Sequence, residues 1–345
     1  MNITCERFGA TGEGTPVERY WLTDGACAVA VLTLGGIIQS VRVPNREGTA
    51  TDSALGFDSV QAYEAQTCYI GALLGRCANR IAKKALSVGG NMCSLAWNDN
   101  GVCHLHGGVS GFDRKLWHAD ISEEGLVLRC TSPDGEEGYP GELQVSVTYH
   151  LADSALSLTY RAESTKDTLC NLSNHAYFNL SGHNAGSIGK QQIQVFADSY
   201  AVKDSHSVPT GEIQCVKNTP LDLREPQRFA EHWDDPFEQI KSARGYDHHY
   251  FIDGTGMRPF ARAYAKDTGI LLEVQSDLPG MQLYSGNYLE QLPAGKDGAD
   301  YGMRSGFAIE TQYAPNAVHC PAFAAPVLRA GERYEHTTVY RFSNR

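Results

Sequence analysis

Positive charge is the scarcer sign in this chain. Lys and Arg number 29 against 40 Asp and Glu, a formal net charge of −11 at pH 7, and no block of like charges gathers anywhere. Proteins that bind nucleic acid draw most of their affinity from neutralising phosphates, so this balance speaks against that class of partner. No apolar stretch is long enough to span a bilayer, and the opening MNITCERFGATGEG lacks the basic segment and apolar run of a secretory signal. The expectation is a cytoplasmic protein with neither a nucleic-acid nor a membrane partner. Cys-x-x-Cys pairs are also missing. The 10 cysteines, at 5, 27, 68, 77, 93, 103, 130, 170, 215 and 320, read as buried reduced thiols rather than a disulfide framework. Cys103-His104-Leu105-His106 comes nearest to a metal motif. In an extended chain its histidines face one way and its cysteine the other, so no metal is expected there.

Long amphipathic helical patterns, fixed-period repeats and Gly/Ser-rich or Pro-rich linkers are likewise missing. What fills the chain instead is short alternating or β-branched runs: 28–32, 126–129, 143–149, 155–160 and 271–274. Turn signals such as Asp134-Gly135, Pro140-Gly141, Asp253-Gly254 and Pro279-Gly280 separate such runs. This pattern predicts an all-β, antiparallel architecture rich in hairpins, with short helices at Asp58 to Glu64 and Arg228 to Glu231. With 42% hydrophobic residues to build a core and no linker, one domain is expected over residues 1–345.

One segment stands out chemically. In Asn171-Leu172-Ser173-Asn174-His175-Ala176-Tyr177-Phe178-Asn179-Leu180, the odd positions are polar or hydrogen-bonding, while Leu172, Ala176, Phe178 and Leu180 are apolar. A strand with this period buries the even side and lays a row of hydrogen-bonding groups on the other. The pattern returns in 306–313, where Phe307 and Ile309 oppose Glu310 and Gln312, and in 281–284, where Gln282 and Tyr284 oppose Met281 and Leu283. If these faces converge, a histidine, a carboxylate and amides line one concave site suited to a polyhydroxylated ligand and to proton transfer.

Taken in order, the distinctive segments are Gly71-Ala72-Leu73-Leu74-Gly75-Arg76-Cys77-Ala78-Asn79-Arg80-Ile81-Ala82, Leu105-His106-Gly107-Gly108, Ser173 to Leu180, Asp247-His248-His249-Tyr250, Pro279 to Asn287, and Glu310-Thr311-Gln312. The set resembles the aldose 1-epimerase, or galactose mutarotase, family. Leu34-Gly35-Gly36 and Ala54-Leu55-Gly56-Phe57-Asp58 with Tyr63 extend the resemblance over nearly the whole chain. It implies a large twisted antiparallel β-sandwich of the galactose mutarotase type, with few short helices, whose open face binds a free aldose. It further implies Glu310 as general base and His175 as general acid, with sugar-hydroxyl contacts from Asn79, Arg80, His106, Tyr177, Asp247 and Gln282. No cofactor and no metal are implied, and the assembly is expected to be a monomer or a homodimer. The chain departs from the family pattern at His249, where Asn is frequent, and at Tyr313-Ala314, where His-Phe is frequent. Both flank the implied chemistry and bear on sugar preference.

Each of these residues has a plainer reading. Arg80 could pair with a surface carboxylate, Asp247 could cap a turn, and His106 could mark the turn at Gly107-Gly108. His104 and His248 read as structural. Competing functions are a non-catalytic carbohydrate-binding protein, a glycoside hydrolase using Glu310 and Asp247 as its two carboxylates, and an epimerase of hexose 6-phosphates. The last would call for extra basic residues, which the charge balance does not favour.

Overall fold

The structure, a computed structural model, describes residues 1–345. The alternating runs become strands slightly longer than the sequence pattern predicts: Cys27–Leu32, Gly125–Ser132, Leu143–Ala152, Ala155–Ser164 and Ile270–Ser276. Burial follows the alternation. In Ala155–Ser164, Leu156, Leu158, Tyr160 and Ala162 are buried while Ser157, Thr159 and Arg161 are partly exposed. Helices are few and short. Val60–Ala65 is capped by Ser59, whose hydroxyl accepts from the Ala62 N–H, and Phe229–Glu231 is a single 3₁₀ turn. Both fall where expected, whereas Glu238–Ala243 carries no N-cap side-chain bond to announce it in the sequence.

Two large antiparallel sheets stack on one another. One has 9 strands, running from His118–Ser122 through Ala155–Ser164 and Arg333–Asn344 to Gln227–Arg228. The other has 6, in the order Tyr177–Phe178, Phe307–Gln312, Gly280–Tyr284, Asp247–Phe251, Ser199–Lys203, Pro209–Cys215. Between them lies a cluster of 58 buried residues that includes Leu156, Leu158 and Tyr340 from the first sheet and Met281, Leu283, Phe307 and Ile309 from the second. Polar contacts reinforce this apolar interface: Tyr340 Oη donates to the Ile309 carbonyl at 3.4 Å, and Thr311 and Thr338 share a hydroxyl contact. A further 5-stranded sheet, Asn2–Ala10 to Ala50–Asp52, sends Leu22, Val29 and Val41 into the same cluster, while a separate 14-residue cluster joins its Val17 and Leu32 to Leu55, Phe57, Tyr63, Tyr177 and Ala308.

The 6-stranded sheet thus has one face against the core and the other turned toward covering loops. One of them, the stretch that leads into Asn79 and Arg80, is pinned by a buried guanidinium. Arg76 is 2% exposed, and it donates to Ser132 Oγ and to the carbonyls of Ser132, Pro133, Pro140 and Gly141 at 2.7–3.1 Å. A charge so deeply buried is tolerable only because its donors are matched to acceptors in this way.

Adjacent residues of one strand should therefore respond oppositely to substitution. Ile309→Ala opens a cavity between the sheets and is expected to cost about 2–5 kcal/mol. Glu310→Gln, on the other face, removes a buried carboxylate with little partnering and is expected to leave stability within about 1 kcal/mol of wild type or to raise it. Urea unfolding of the two variants checks the contrast.

Candidate active site

The site begins with strand register. Directly opposed residues of an antiparallel pair share a face. Asp247 opposes Tyr284, His249 opposes Gln282, and Gln282 in turn opposes Glu310. These polar side chains lie on the loop-covered face, while their neighbours Leu283, Ile309, Tyr250 and Met281 fill the core. The alternation read in 281–284 and 306–313 thus holds in space.

The segment 171–180 does not form the single strand that its alternation suggested. Ser173–Asn174 pairs with Leu73–Leu74 and Tyr177–Phe178 pairs with Phe307 and Ala308, with a break between them. The cause is Asn174, whose Oδ1 accepts from the Ala176 N–H at 2.8 Å while its Nδ2 donates to the Gly71 carbonyl at 2.9 Å. Such a local side-chain bond competes with the ladder and turns the chain. The His175 backbone is held by the same loop, its N–H donating to Ala72 and its carbonyl accepting from Gly71. Nor does the whole polar row line the site. Asn171 and Asn179 spend their amides on the carbonyls of Tyr313 and Ser305, at 3.3 and 2.9 Å. Only His175 and Tyr177 reach the cavity.

Arg80 and His106 arrive on the covering loops. Arg80–Ala82 pairs with Cys103–Leu105, placing Arg80 opposite Leu105 and His106 just beyond. Asn98 stitches the turn, accepting from the Leu105 N–H at 2.7 Å and donating to the Leu105 and Gly108 carbonyls at 2.9 Å. Gly107 is required there: at φ +96°, an added Cβ would lie 1.8 Å from the Gly75 carbonyl oxygen. His106 Nδ1 accepts from the Asn79 N–H at 3.0 Å, so the neutral ring carries its proton on Nε2. Burial, with the neighbouring His175 and Arg80, holds its pKa well below the usual histidine range and keeps it neutral.

These elements enclose a cavity of about 460 Å³ lined by Asn79, Arg80, His106, His175, Tyr177, Asp247 and Glu310 among others. His175 Nε2 lies 3.6 Å from Glu310 Oε1, and the nearest donor atoms of His106, His175 and Glu310 all fall within 4.8 Å of one another. The Tyr177 ring stacks on His175 at 4.7 Å, its hydroxyl donating to the Cys68 carbonyl. Gln282 is brought to the site but one layer below the lining, where its Nε2 donates to Asp247 Oδ1 at 2.7 Å.

Electrostatics separates the two carboxylates. Burial alone would raise Asp247, but Lys203, Arg80 and the Gln282 hydrogen bond outweigh it and hold the group below the usual carboxylate range. Arg80 Nη1 stands 3.7 Å from Asp247 while its Nε binds Asp99 at 2.8 Å. Glu310 is pushed well above the usual range, first by burial and then by the Asp247 charge. Burial also lowers His175 to about 4. Two carboxylates driven apart beside a low-pKa histidine suit proton transfer.

Sequence reasoning passed over Tyr69, Tyr288, Asp99 and Lys203. Tyr69 adopts φ 56° and places its ring near-parallel to His175 at 6.2 Å. Lys203, 6% exposed, steadies Asp247. None of these sits in a patterned segment, and a lone lysine at a strand end gives no signal. His104 and His248 are structural, as expected. His104 bridges Tyr139 Oη and the Ala96 carbonyl, each at 2.6 Å. His248 Nδ1 accepts from the Asp247 N–H and its Nε2 donates to the Gln239 carbonyl.

His248 also makes stability pH-dependent. Burial depresses its folded pKa to about 3, below the unfolded value near 6.5. A base whose folded pKa is depressed contributes stability above its unfolded pKa and loses it as pH falls toward the folded pKa. The window is therefore pH 6.5 down to about 3. In His248→Asn, whose amide oxygen can still accept from Asp247, the stability gap to wild type is expected to change by about 1.4 kcal/mol per pH unit across that window. Urea titrations at pH 7, 6 and 5 measure it.

The chain is similar to known proteins over nearly its whole length. The profile described as "Aldose 1-epimerase" matches residues 18–341. The chain is 41% identical to galactose mutarotase of Bos taurus, with 99% of each chain covered, and 32% identical to aldose 1-epimerase of Escherichia coli strain K12, with 96% of each covered. Among solved structures, galactose 1-epimerase from Lactobacillus acidophilus superposes with a TM-score of 0.86 at 25% identity, covering 100% of this chain and 99% of that one. An aldose epimerase homologue from C. elegans gives 0.85 at 27% identity, covering 92% and 96%. On this evidence the chain belongs to the aldose 1-epimerase family.

Proposed function

We propose that Glu310 and His175 are the base and acid with which this aldose 1-epimerase interconverts the α and β anomers of a free aldose such as galactose or glucose. Ring opening takes the proton from the C1 hydroxyl onto Glu310 while His175 gives one to the ring oxygen. The C1–C2 bond then rotates, and the reverse transfers close the ring on the other face of the aldehyde. The observation that carries this reading is the approach of His175 Nε2 to Glu310 Oε1 at 3.6 Å, two buried side chains in the wall of one cavity.

The site's electrostatics fits this cycle. Once the ring has opened, Glu310 holds a proton and His175 has lost one, so both groups are neutral. Burial favours that neutral pair, since it raises Glu310 and lowers His175. The charged pair that starts the cycle is the costlier state, so burial favours ring opening and closure restores that pair at the same cost. Each transfer is worth roughly 10² to 10⁴ in rate.

The supporting residues take separate roles. His106 offers an Nε2 proton to a sugar hydroxyl, Asn79 keeps an amide free after its Oδ1 accepts the Arg80 N–H, and Arg80 and Asp247 present paired donors and acceptors. Tyr177 supports the His175 ring, and Gln282 fixes Asp247. A hydrolytic role for Glu310 and Asp247 finds no support, since the full-length similarity is to galactose mutarotases and aldose 1-epimerases. The whole chain is proposed to act as one domain. Its main core runs from Tyr20 to Phe342, and the cavity draws on residues from Thr67 to Glu310.

Polarimetry on freshly dissolved α-anomers of galactose, glucose, xylose and arabinose tests the reaction. Glu310→Gln and His175→Asn are each expected to lower kcat by about 10² or more while sugar binding, read by calorimetry, persists. Near-normal turnover in either variant removes that residue from its role. Arg80→Ala and Asp247→Ala should act mainly on KM and on kcat/KM.

His106, His175 and Glu310 form a donor set that could take a divalent ion, yet both proton transfers come from side chains alone. Activity is therefore expected to survive dialysis against EDTA unchanged. Loss on chelation, restored by one metal, would overturn the acid–base account.

A further inference from the structure

His249 has no part in the cavity lining, and neither does Gln312. Both are nonetheless buried on the site face, at 2% and 0% exposure. Both ring nitrogens of His249 and both amide atoms of Gln312 lack a hydrogen-bond partner in the protein, as do Gln282 Oε1 and Glu310 Oε2. These atoms are not scattered. His249, Gln282 and Glu310 form one cross-strand row, and Phe251, Gly280 and Gln312 form the next. The His249 ring leans over Gly280, where an added Cβ would lie 2.5 Å from His249 Nε2, so that nitrogen is carried toward the row that ends in Gln312. Gln312 sits two residues along the strand from Glu310 on the same face, about 7 Å away at the backbone.

Buried polar atoms left unpaired are costly, and so many on one patch call for a shared partner. Water meets the need because it can donate and accept at once. We infer that His249 and Gln312 are positioning residues, which hold buried water against Glu310 Oε2 and so fix the orientation and proton affinity of the base. This rests on Glu310 being the base. Neutral His249 and the Gln312 amide each supply a donor, and donors to a carboxylate favour its ionised form. The charged and titratable groups around Glu310 are His175 and Tyr177 from the broken segment, and Asp247 with His249 two strands away. Arg80 and His106 face it from the covering loops, and Tyr340 from the opposite sheet. Arg80 is the one permanent cation of this set, and it already faces Asp99 and Asp247.

The test is the pH profile of kcat/KM. Removing a donor from Glu310 raises its pKa, so the acid limb of the profile should move up. For Gln312→Leu and for His249→Leu, a rise of about 0.5 to 1 unit is expected, with kcat down roughly 3-fold to 10-fold and KM within about twofold. His249→Asn, which restores a donor, should return the limb to within about 0.2 units of wild type. Folded Leu variants whose limb does not move overturn the inference, as does a His249→Asn enzyme that behaves like His249→Leu. Should the Leu variants fail to fold, a high-resolution crystal structure of the wild-type enzyme decides. Ordered water within hydrogen-bond reach of Glu310 Oε2 and of Gln312 or His249 supports the inference; its absence overturns it. Glu310→Gln separates the two readings. An active Glu310→Gln enzyme strikes at the base assignment itself, whereas an inactive one beside an unmoved acid limb strikes only at His249 and Gln312.

Discussion

Cross-strand register governs this molecule. Side chains alternate strictly along a strand, so a slip of one residue between Gly280–Tyr284 and Phe307–Gln312 would exchange every group between the two faces. Glu310 would then enter the apolar cluster and Ile309 the cavity. The register is locked from behind by Met281, Leu283, Phe307 and Ile309, all at most 1% exposed, packed against the 9-stranded sheet. Apolar packing with no chemical role therefore determines where the chemistry can occur.

Given that register, burial does most of the electrostatic tuning. Glu310, His175 and Asp247 line one cavity, yet compensation outweighs burial only at Asp247, through Lys203, Arg80 and Gln282. The difference follows from which cations the loops deliver. Arg80 comes from the strand paired with Cys103–Leu105, and Lys203 from the end of Ser199–Lys203, both on the Asp247 side. Glu310 meets no close cation except His175, whose own charge is disfavoured. A fixed anion thus stands beside a movable proton, which is what reversible ring opening requires.

Much of this could be read in the chain beforehand, and what could not has definite physical causes. Alternation exposed Glu310, Gln282 and Tyr284 because those strands are regular and half their faces are apolar. The same logic misread 171–180, where Asn174 substitutes its side chain for a ladder partner; residue type could suggest such a turn, but periodicity averages over it. His175 and Tyr177 nevertheless kept a common side, both lining the cavity with their rings stacked at 4.7 Å. Arg80, His106 and Asn79 came from family likeness alone, because a three-residue strand and the turns beside it are too short to show a period. Tyr69 and Lys203 had neither signal. Their place depends on loops and strand ends that meet only after folding.

The bond from the Asn79 N–H to His106 Nδ1 carries an implication for how this protein can change. The ring's tautomer is dictated by a main-chain N–H, which a side-chain change at position 79 does not remove so long as the new residue accepts the left-handed φ of 65° held there. Substitutions around His106 therefore leave the direction of its donor untouched, and a preference built on that donor is buffered against ordinary mutational drift. Altering it requires moving the loop itself, and Gly107, wedged against the Gly75 carbonyl, leaves that loop little freedom to move. Diversification of the binding surface is thereby channelled to side chains that no backbone bond constrains, such as the half-exposed Tyr288 at the cavity wall.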